Sequence, residues 1–474
     1  MPSSLMNKFF SFIDQRHEDY IKSLQEAVAI PSVSGKPEYR KDVIRMVEWT
    51  AKRLRTLKCD VKEKFIGFEK LPDGTEIPLP PIILASLGND PQKKTVCIYG
   101  HLDVQPAALN EGWNSEPFEL TERDGKLYGR GASDDKGPVL CWLHAIEAFE
   151  TIGKVPVNVR FILESMEESG SAGLQELLFE EKDNFFSDTD YICISDNYWL
   201  GTERPTITYG LKGLAYFHVT VKSSDIDLHS GMYGGAVREG IDDLIYLLNS
   251  MKDKHNKITI KNFYNNVLSV DPEEQSLYKD ILFDVDEYRS NIGCTKLLHD
   301  DKVDLLINRW TRPSLSIHGI EGAFDESGSK TSIAKRVIGK FSIRFVPNHT
   351  AKEVEELVKT HLEEKWNELE SPNDFNVSMS GSGETWIEDP TNPNYLAGIR
   401  ATELVYGVKP DLIRDGGTIP ILSMIKKLIG KNVLLLPVGQ GDDGAHSQNE
   451  KLNKENYIKG IKLLGAYLHE VSQI

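Results

Sequence analysis

The chain has 474 residues, 40% apolar and 27% charged, and its 55 basic against 72 acidic side chains give a formal net charge of −17. That length exceeds one ordinary core, so two domains are expected, and the acidic balance repels phosphate backbones and excludes nucleic acid as a partner. No stretch reaches the ~20 apolar residues that a membrane helix needs, so no membrane partner is expected.

The amino-terminal residues lack the unbroken apolar core of a secretory signal and read as a surface helix, which makes cytoplasmic residence the expectation. From Lys8 to Ile30 the apolar spacing is helical until PSVSG stops it; Val43 to Leu57 forms a second helix, and PLPPIIL and TVCIYG read as strands. After GRGASDDKG, Val139 to Phe149 is helical, and the apolar runs at 157–164 and 191–195 complete a βαβ pattern that implies a mostly parallel sheet. Past Leu211 the character changes. LAYFHVTV reads as a strand and Gly240 to Met251 as a helix, while Val337 to Val346 alternates, with Phe341, Ile343 and Phe345 on one face and Ser342 and Arg344 on the other. Val354, Leu357, Val358, Leu362, Trp366 and Leu369 mark one stripe of an amphipathic helix. A helix from Asn394 to Tyr406, a strand at 432–438 and a helix from Asn456 to Glu470 return to the first pattern. The segment 252–310 is polar and weakly periodic and yields no assignment. The expected class is α/β: a doubly wound, mostly parallel sheet built from 1–211 and 386–474, with an inserted α+β domain at 212–385. Cysteines 59, 97, 141, 193 and 294 sit at neither metal nor disulfide-framework spacing and read as buried reduced thiols.

Five potential ligands sit just past buried strand runs or in the loops between them: His101, Asp134, Glu168, Asp196 and His446. Ligands leaving the carboxyl ends of several strands can converge, because open α/β sheets assemble their sites along that edge. Two histidines and three carboxylates suit a pair of divalent ions, with the adjacent Glu167 placed to act as base. Asp103, two positions after His101, could accept the imidazole proton and fix its tautomer. GRGASD is a poor dinucleotide fingerprint, since Asp134 stands where the third glycine belongs and no strand directly precedes it.

Each of these elements is weak alone; their order is specific. GHLDVQP, GRGASDDKG, SMEESGS, CISDNYW, DLHSGMYGG and GDDGAHSQNEKL together resemble the motif series of the M20 metallopeptidases, in particular the non-specific dipeptidase branch that includes carnosine and cysteinylglycine dipeptidases. The resemblance runs from the first helix to the last. It implies a catalytic domain holding two divalent ions, zinc or manganese, and a lid domain that also forms a homodimer. It further implies that Asp134 bridges both ions, that His101 and Asp196 complete one site and that Glu168 and His446 complete the other. Asp103 would orient His101, and Glu167 would be the general base. His229 would reach the partner subunit's site to stabilise the oxyanion, and Thr331, Arg344 and Thr418 would contact the substrate, a dipeptide. An arginine suits a free carboxylate because its planar fork binds carboxylates bidentately.

Two motifs depart from the family pattern. KTSIAKR has Ala334 where a proline is usual, and RDGGT has Thr418 in place of serine, which keeps the hydroxyl. An N-acyl amino acid deacylase or carboxypeptidase would use the same metals with a different acyl pocket. A non-enzymatic scaffold would not need Glu167.

Overall fold

The computed structural model describes residues 4–474. A nine-stranded sheet forms the larger unit, and its centre is four parallel strands in the order Asn158–Glu164, Thr95–His101, Tyr191–Ile194 and Asn432–Leu435. Antiparallel pairings flank them. Ile82–Leu87 and then Asp60–Lys64 close one side; Thr206–Leu211 joins the other and carries Trp386–Ile387 antiparallel and Asp411–Asp415 parallel. Thr95–His101 and Asn158–Glu164 are buried at every position, which is why they read as continuous apolar runs rather than alternating ones.

Alternation along Thr95–His101 sends Val96 and Ile98 into one core and Cys97 and Tyr99 into another, on opposite faces of the sheet. The larger core is closed by helices Ser4–Asp14, His17–Val28, Lys136–Ile152, Pro393–Tyr406 and Lys454–Val471, and the smaller by Leu174–Glu181 and Pro420–Ile429. Helices on both faces make this the doubly wound α/β arrangement. The amino-terminal segment is two helices, and it is less superficial than its sequence suggests. Met6, Phe9 and Ile13 are fully buried, and Phe9 stacks on Phe149 at 4.3 Å.

Residues 213–383 build a second sheet with its own core. The order is Ser314–Glu321, Arg336–Phe345, Gly213–Lys222, Asp374–Gly383, antiparallel throughout. Helices Gly240–Ser250 and Ala351–Leu369 cover it, burying Phe217, Val219, Phe341 and Ile343 against Leu244, Leu247, Val354 and Val358. A capping box between Thr350 and Glu353 starts the second of these helices.

The stretch without a clear period contains three short helices, Pro272–Asp280, Val285–Asn291 and Lys302–Thr311, each started by a capping aspartate at 271, 284 or 301. The first and third pack against the edge of the nine-stranded sheet rather than on the second sheet. Tyr278, Leu306 and Trp310 share a small core with Ile413, and Glu274 pairs with Arg414 at 2.6 Å and accepts from Tyr209 at 2.7 Å. Cys59, Cys97, Cys141 and Cys193 are buried, but Cys294 is exposed: it follows the turn that ends Val285–Asn291, on the solvent side of this add-on. No helix of the described residues is long and apolar enough to cross a membrane.

Candidate active site

The parallel strands deliver their ligands to one edge. His101 is the last residue of its strand, Glu167 and Glu168 form a turn three residues after Glu164, Asp196 lies two residues past Ile194, and His446 lies in the loop following the strand that ends at Leu435. Asp134 arrives from the loop that opens helix Lys136–Ile152, and the Asp134–Asp135 peptide is cis. Gly100 permits this convergence, since a Cβ there would stand 2.6 Å from Val139 and 2.8 Å from the Asp135 carboxylate. That carboxylate accepts the His101 backbone N–H.

Two ligand triads share Asp134. His101, Asp134 and Asp196 form one, and Asp134, Glu168 and His446 the other, with the ligand atoms of each within 4.8 Å of one another. His101 Nε2 is 3.0 Å from Asp134 Oδ1 and 3.7 Å from Asp196 Oδ2; His446 Nε2 is 3.1 Å from Asp134 Oδ2 and 3.0 Å from Glu168 Oε2. Ligand atoms about 2.0–2.2 Å from a tetrahedral ion stand roughly 3.3–3.6 Å apart, so each triad could hold one divalent ion.

The donor set also needs positive charge. Burial, reinforced by Asp134, pushes the Asp196 carboxyl up to about 7. Burial pushes Glu167 up to about 9, opposed by the His101 imidazole and reinforced by Asp196, Glu168 and Asp103. Hydrogen bonds to Asp134 and Glu168 push His446 up to about 10. Burial would lower His101, but Asp103 and Asp134 carry it well above its usual range. A buried group of carboxylates that raises its imidazoles this far attracts cations of any kind, and divalent ions satisfy it with the geometry already present.

Asp103 does more than its sequence position suggests. His101 Nδ1 lies 3.1 Å from the Asp103 carbonyl and 3.4 Å from its carboxylate, which leaves Nε2 for a metal. The same carboxylate accepts the backbone N–H groups of Glu167 and Glu168 at 3.2 and 3.0 Å, locking one ligand strand to the next turn.

Sequence reading passed over Glu450, which organises the loop carrying Asp134 from behind. Its fully buried carboxylate accepts from the backbone of Gly131, Ser133 and Asp134, from the Ser133 hydroxyl and from Arg130, whose guanidinium also reaches the Ser447 carbonyl. The signal was an acid four residues after His446, inside a motif whose histidine drew the attention. Gln105 was missed too; it donates to Glu168 Oε2 at 2.8 Å. Glu450→Ala should cost roughly 3–5 kcal/mol, because it strands the buried Arg130 and three N–H groups. Denaturant unfolding of the metal-free protein measures it, and a loss under about 1 kcal/mol would remove Glu450 from this role.

A cleft of about 510 Å³ runs from Asp134, Glu167, Asp196 and His446 past Tyr198, Trp199 and Leu200 to Arg309, Asp415 and Thr418. Arg344, from the second sheet, donates to Thr418 Oγ1 at 2.7 Å. His229 and Thr331 stand together elsewhere: Leu228–His229 pairs with Ser332–Ile333, and the Ser230 N–H donates to the Thr331 carbonyl. Both are exposed, and neither lines this cleft. His229 Nδ1 accepts from the Gly231 N–H at 3.0 Å, which places the ring proton on Nε2.

Residues 97–470 match the peptidase family M20/M25/M40. The chain belongs to this family. It is 48% identical to the human Beta-Ala-His dipeptidase over all of this chain and 94% of that protein. It is 44% identical to the Cys-Gly metallodipeptidase of Schizosaccharomyces pombe, over 99% of each. Among M20 structures, that of human carnosine dipeptidase 1 superimposes with a TM-score of 0.90 at 47% identity, covering 100% of both chains. An M20 metallo-carboxypeptidase from Sulfolobus solfataricus follows at 0.85 and 26% identity, over 96% of this chain and 99% of that one. The family match spans every ligand of the two triads.

Proposed function

We propose that this M20 enzyme is a metal-dependent dipeptidase acting on unblocked dipeptides of the Cys-Gly or β-Ala-His kind. The carrying observation is the pair of triads sharing Asp134, with Glu167 beside them, at the acidic end of a cleft whose other end carries Arg309 and, through Thr418, Arg344. Two divalent ions, zinc or manganese, fit the donor set, and when bound they supply Lewis acidity that makes water a nucleophile near neutral pH.

The chain's own residues do the rest. Glu167 takes the proton from the attacking water and passes it to the leaving amine. Arg344, steered by Thr418, receives the free carboxylate. A free amine near the acidic triads and a carboxylate at Arg344 leave room for two residues, which limits the substrate to dipeptides. His229, with Thr331 beside it, serves the partner subunit's cleft in a homodimer. The exposed apolar side chains around it, Ile226 at 66%, Met232 at 73% and Tyr233 at 41%, support that assembly.

A carboxypeptidase reading is favoured only by the more distant Sulfolobus structure. Activity should vanish on chelation and return with added divalent ion, and an amino-terminally blocked dipeptide should be cleaved far more slowly than the free one. Activity in the chelated enzyme, or equal rates on blocked and free substrates, would sink the proposal.

A further inference from the structure

The basic end of the cleft holds more positive charge than one α-carboxylate requires. Arg344 reaches it through Thr418. Arg309 is half-buried in the cleft wall, its guanidinium held 5.3 Å from the centre of the Tyr288 ring. Lys212 is 3% exposed, and its ammonium makes one long contact, 3.5 Å to the carbonyl of Asn308, the neighbour of Arg309. The loop 415–418 ties these groups together: the Thr418 hydroxyl donates to the Lys212 carbonyl at 2.7 Å, and a Cβ at Gly416 would stand 3.2 Å from the Arg309 carbonyl.

None of the three cations has a carboxylate of the described residues within ion-pair distance. Asp415 is the acid whose field reaches Lys212 and Arg344, and it spends one carboxylate oxygen on the Gly417 N–H at 2.7 Å. Three positive charges therefore face one resident negative charge. A substrate α-carboxylate supplies a second, and one positive charge is left over. A cation buried this deeply without a counter-ion is costly to the free enzyme, and an anionic ligand group relieves that cost.

We propose that Arg309, backed by Lys212, forms a second carboxylate subsite, which takes an acidic side chain on the carboxyl-terminal residue of the dipeptide while Arg344 takes its α-carboxylate. This rests on the dipeptidase reading, because it needs the α-carboxylate at Arg344. Arg309 lines the same cleft as Thr418, to which Arg344 is bonded, so both guanidinium groups are within reach of one carboxyl-terminal residue under that reading. The planar guanidinium matches a carboxylate fork and gains less from a neutral amide of the same shape, which offers one acceptor oxygen and no charge.

The test compares Ala-Glu with its isostere Ala-Gln on the metal-loaded enzyme. Wild type should prefer Ala-Glu by about tenfold in kcat/KM, mostly through KM, and the preference should shrink as salt rises. Arg309→Gln should bring the ratio close to one, and Arg309→Lys should keep part of it. Because each ratio is taken within one preparation, partial misfolding of a variant does not alter it. Equal rates on the two dipeptides in wild type, or a preference that survives in Arg309→Gln, would overturn the subsite and leave the dipeptidase reading standing. Failure to cleave either dipeptide with any divalent ion would overturn both.

Discussion

Glu167→Gln should lower kcat by roughly 10²–10⁴-fold with metal content and fold intact, whereas Glu168→Gln should lose metal. The two acids are neighbours in sequence and share an anchor, since both backbone N–H groups donate to Asp103. Their side chains face different tasks. Glu168 Oε2 stands 3.0 Å from His446 Nε2 and accepts from Gln105, so it belongs to a triad, while Glu167 lines the cleft and belongs to neither. In the metal-free site burial pushes Glu167 up to about 9, so it holds a proton at neutral pH there. Positive charge in the triads lowers that value toward neutrality, the range in which a base can both take and return a proton. An amide in its place keeps the shape and loses the proton chemistry. Elemental analysis of both purified variants, alongside their kcat, decides the matter. Equal metal loss in the two would show that the roles are misassigned.

The candidate ligands were legible in the sequence because chemistry and strand ends coincide. His101 closes a strand buried at all seven positions, and such runs cannot be mistaken for amphipathic helices when a polar residue terminates them. The second sheet was legible for a different reason: Arg336–Phe345 lies between two strands with helices over one face, so its period of two survives. Legibility failed where burial is local. Helices Pro272–Asp280 and Val285–Asn291 carry few apolar residues, and of these only Tyr278 is buried, so no short-range period reports them; Lys302–Thr311 has Val303, Leu306, Ile307 and Trp310 at helical spacing and was hidden only by the polar stretch around it. Strand Asp411–Asp415 was lost similarly, since it packs as an edge and alternates weakly. Glu450 and Lys212 illustrate a further limit. A buried charge looks like a surface charge in a sequence, and only its contacts, five donors for one and a single long contact for the other, tell the two apart.

His229→Ala homodimers should lose roughly 10²–10³-fold in kcat, the worth of one donor aimed at a developing oxyanion. Co-expression with the inactive Glu167→Gln chain should restore up to half of the wild-type rate per dimer. His229 sits on the two-stranded ribbon with Thr331, exposed, and outside the cleft of its own subunit. Its Nδ1 is occupied by the Gly231 N–H, so Nε2–H is free to donate, as an oxyanion contact requires. In a mixed dimer one cleft combines an intact Glu167 with the partner subunit's intact His229, and the other cleft has neither. Two differently tagged chains, purified through both tags, isolate that species and exclude either parent. The single restored cleft should show a wild-type KM, because it lacks nothing. If verified heterodimers stay as inactive as the parents, His229 acts within its own subunit or outside catalysis, and the assembly proposed for this enzyme loses its functional reason.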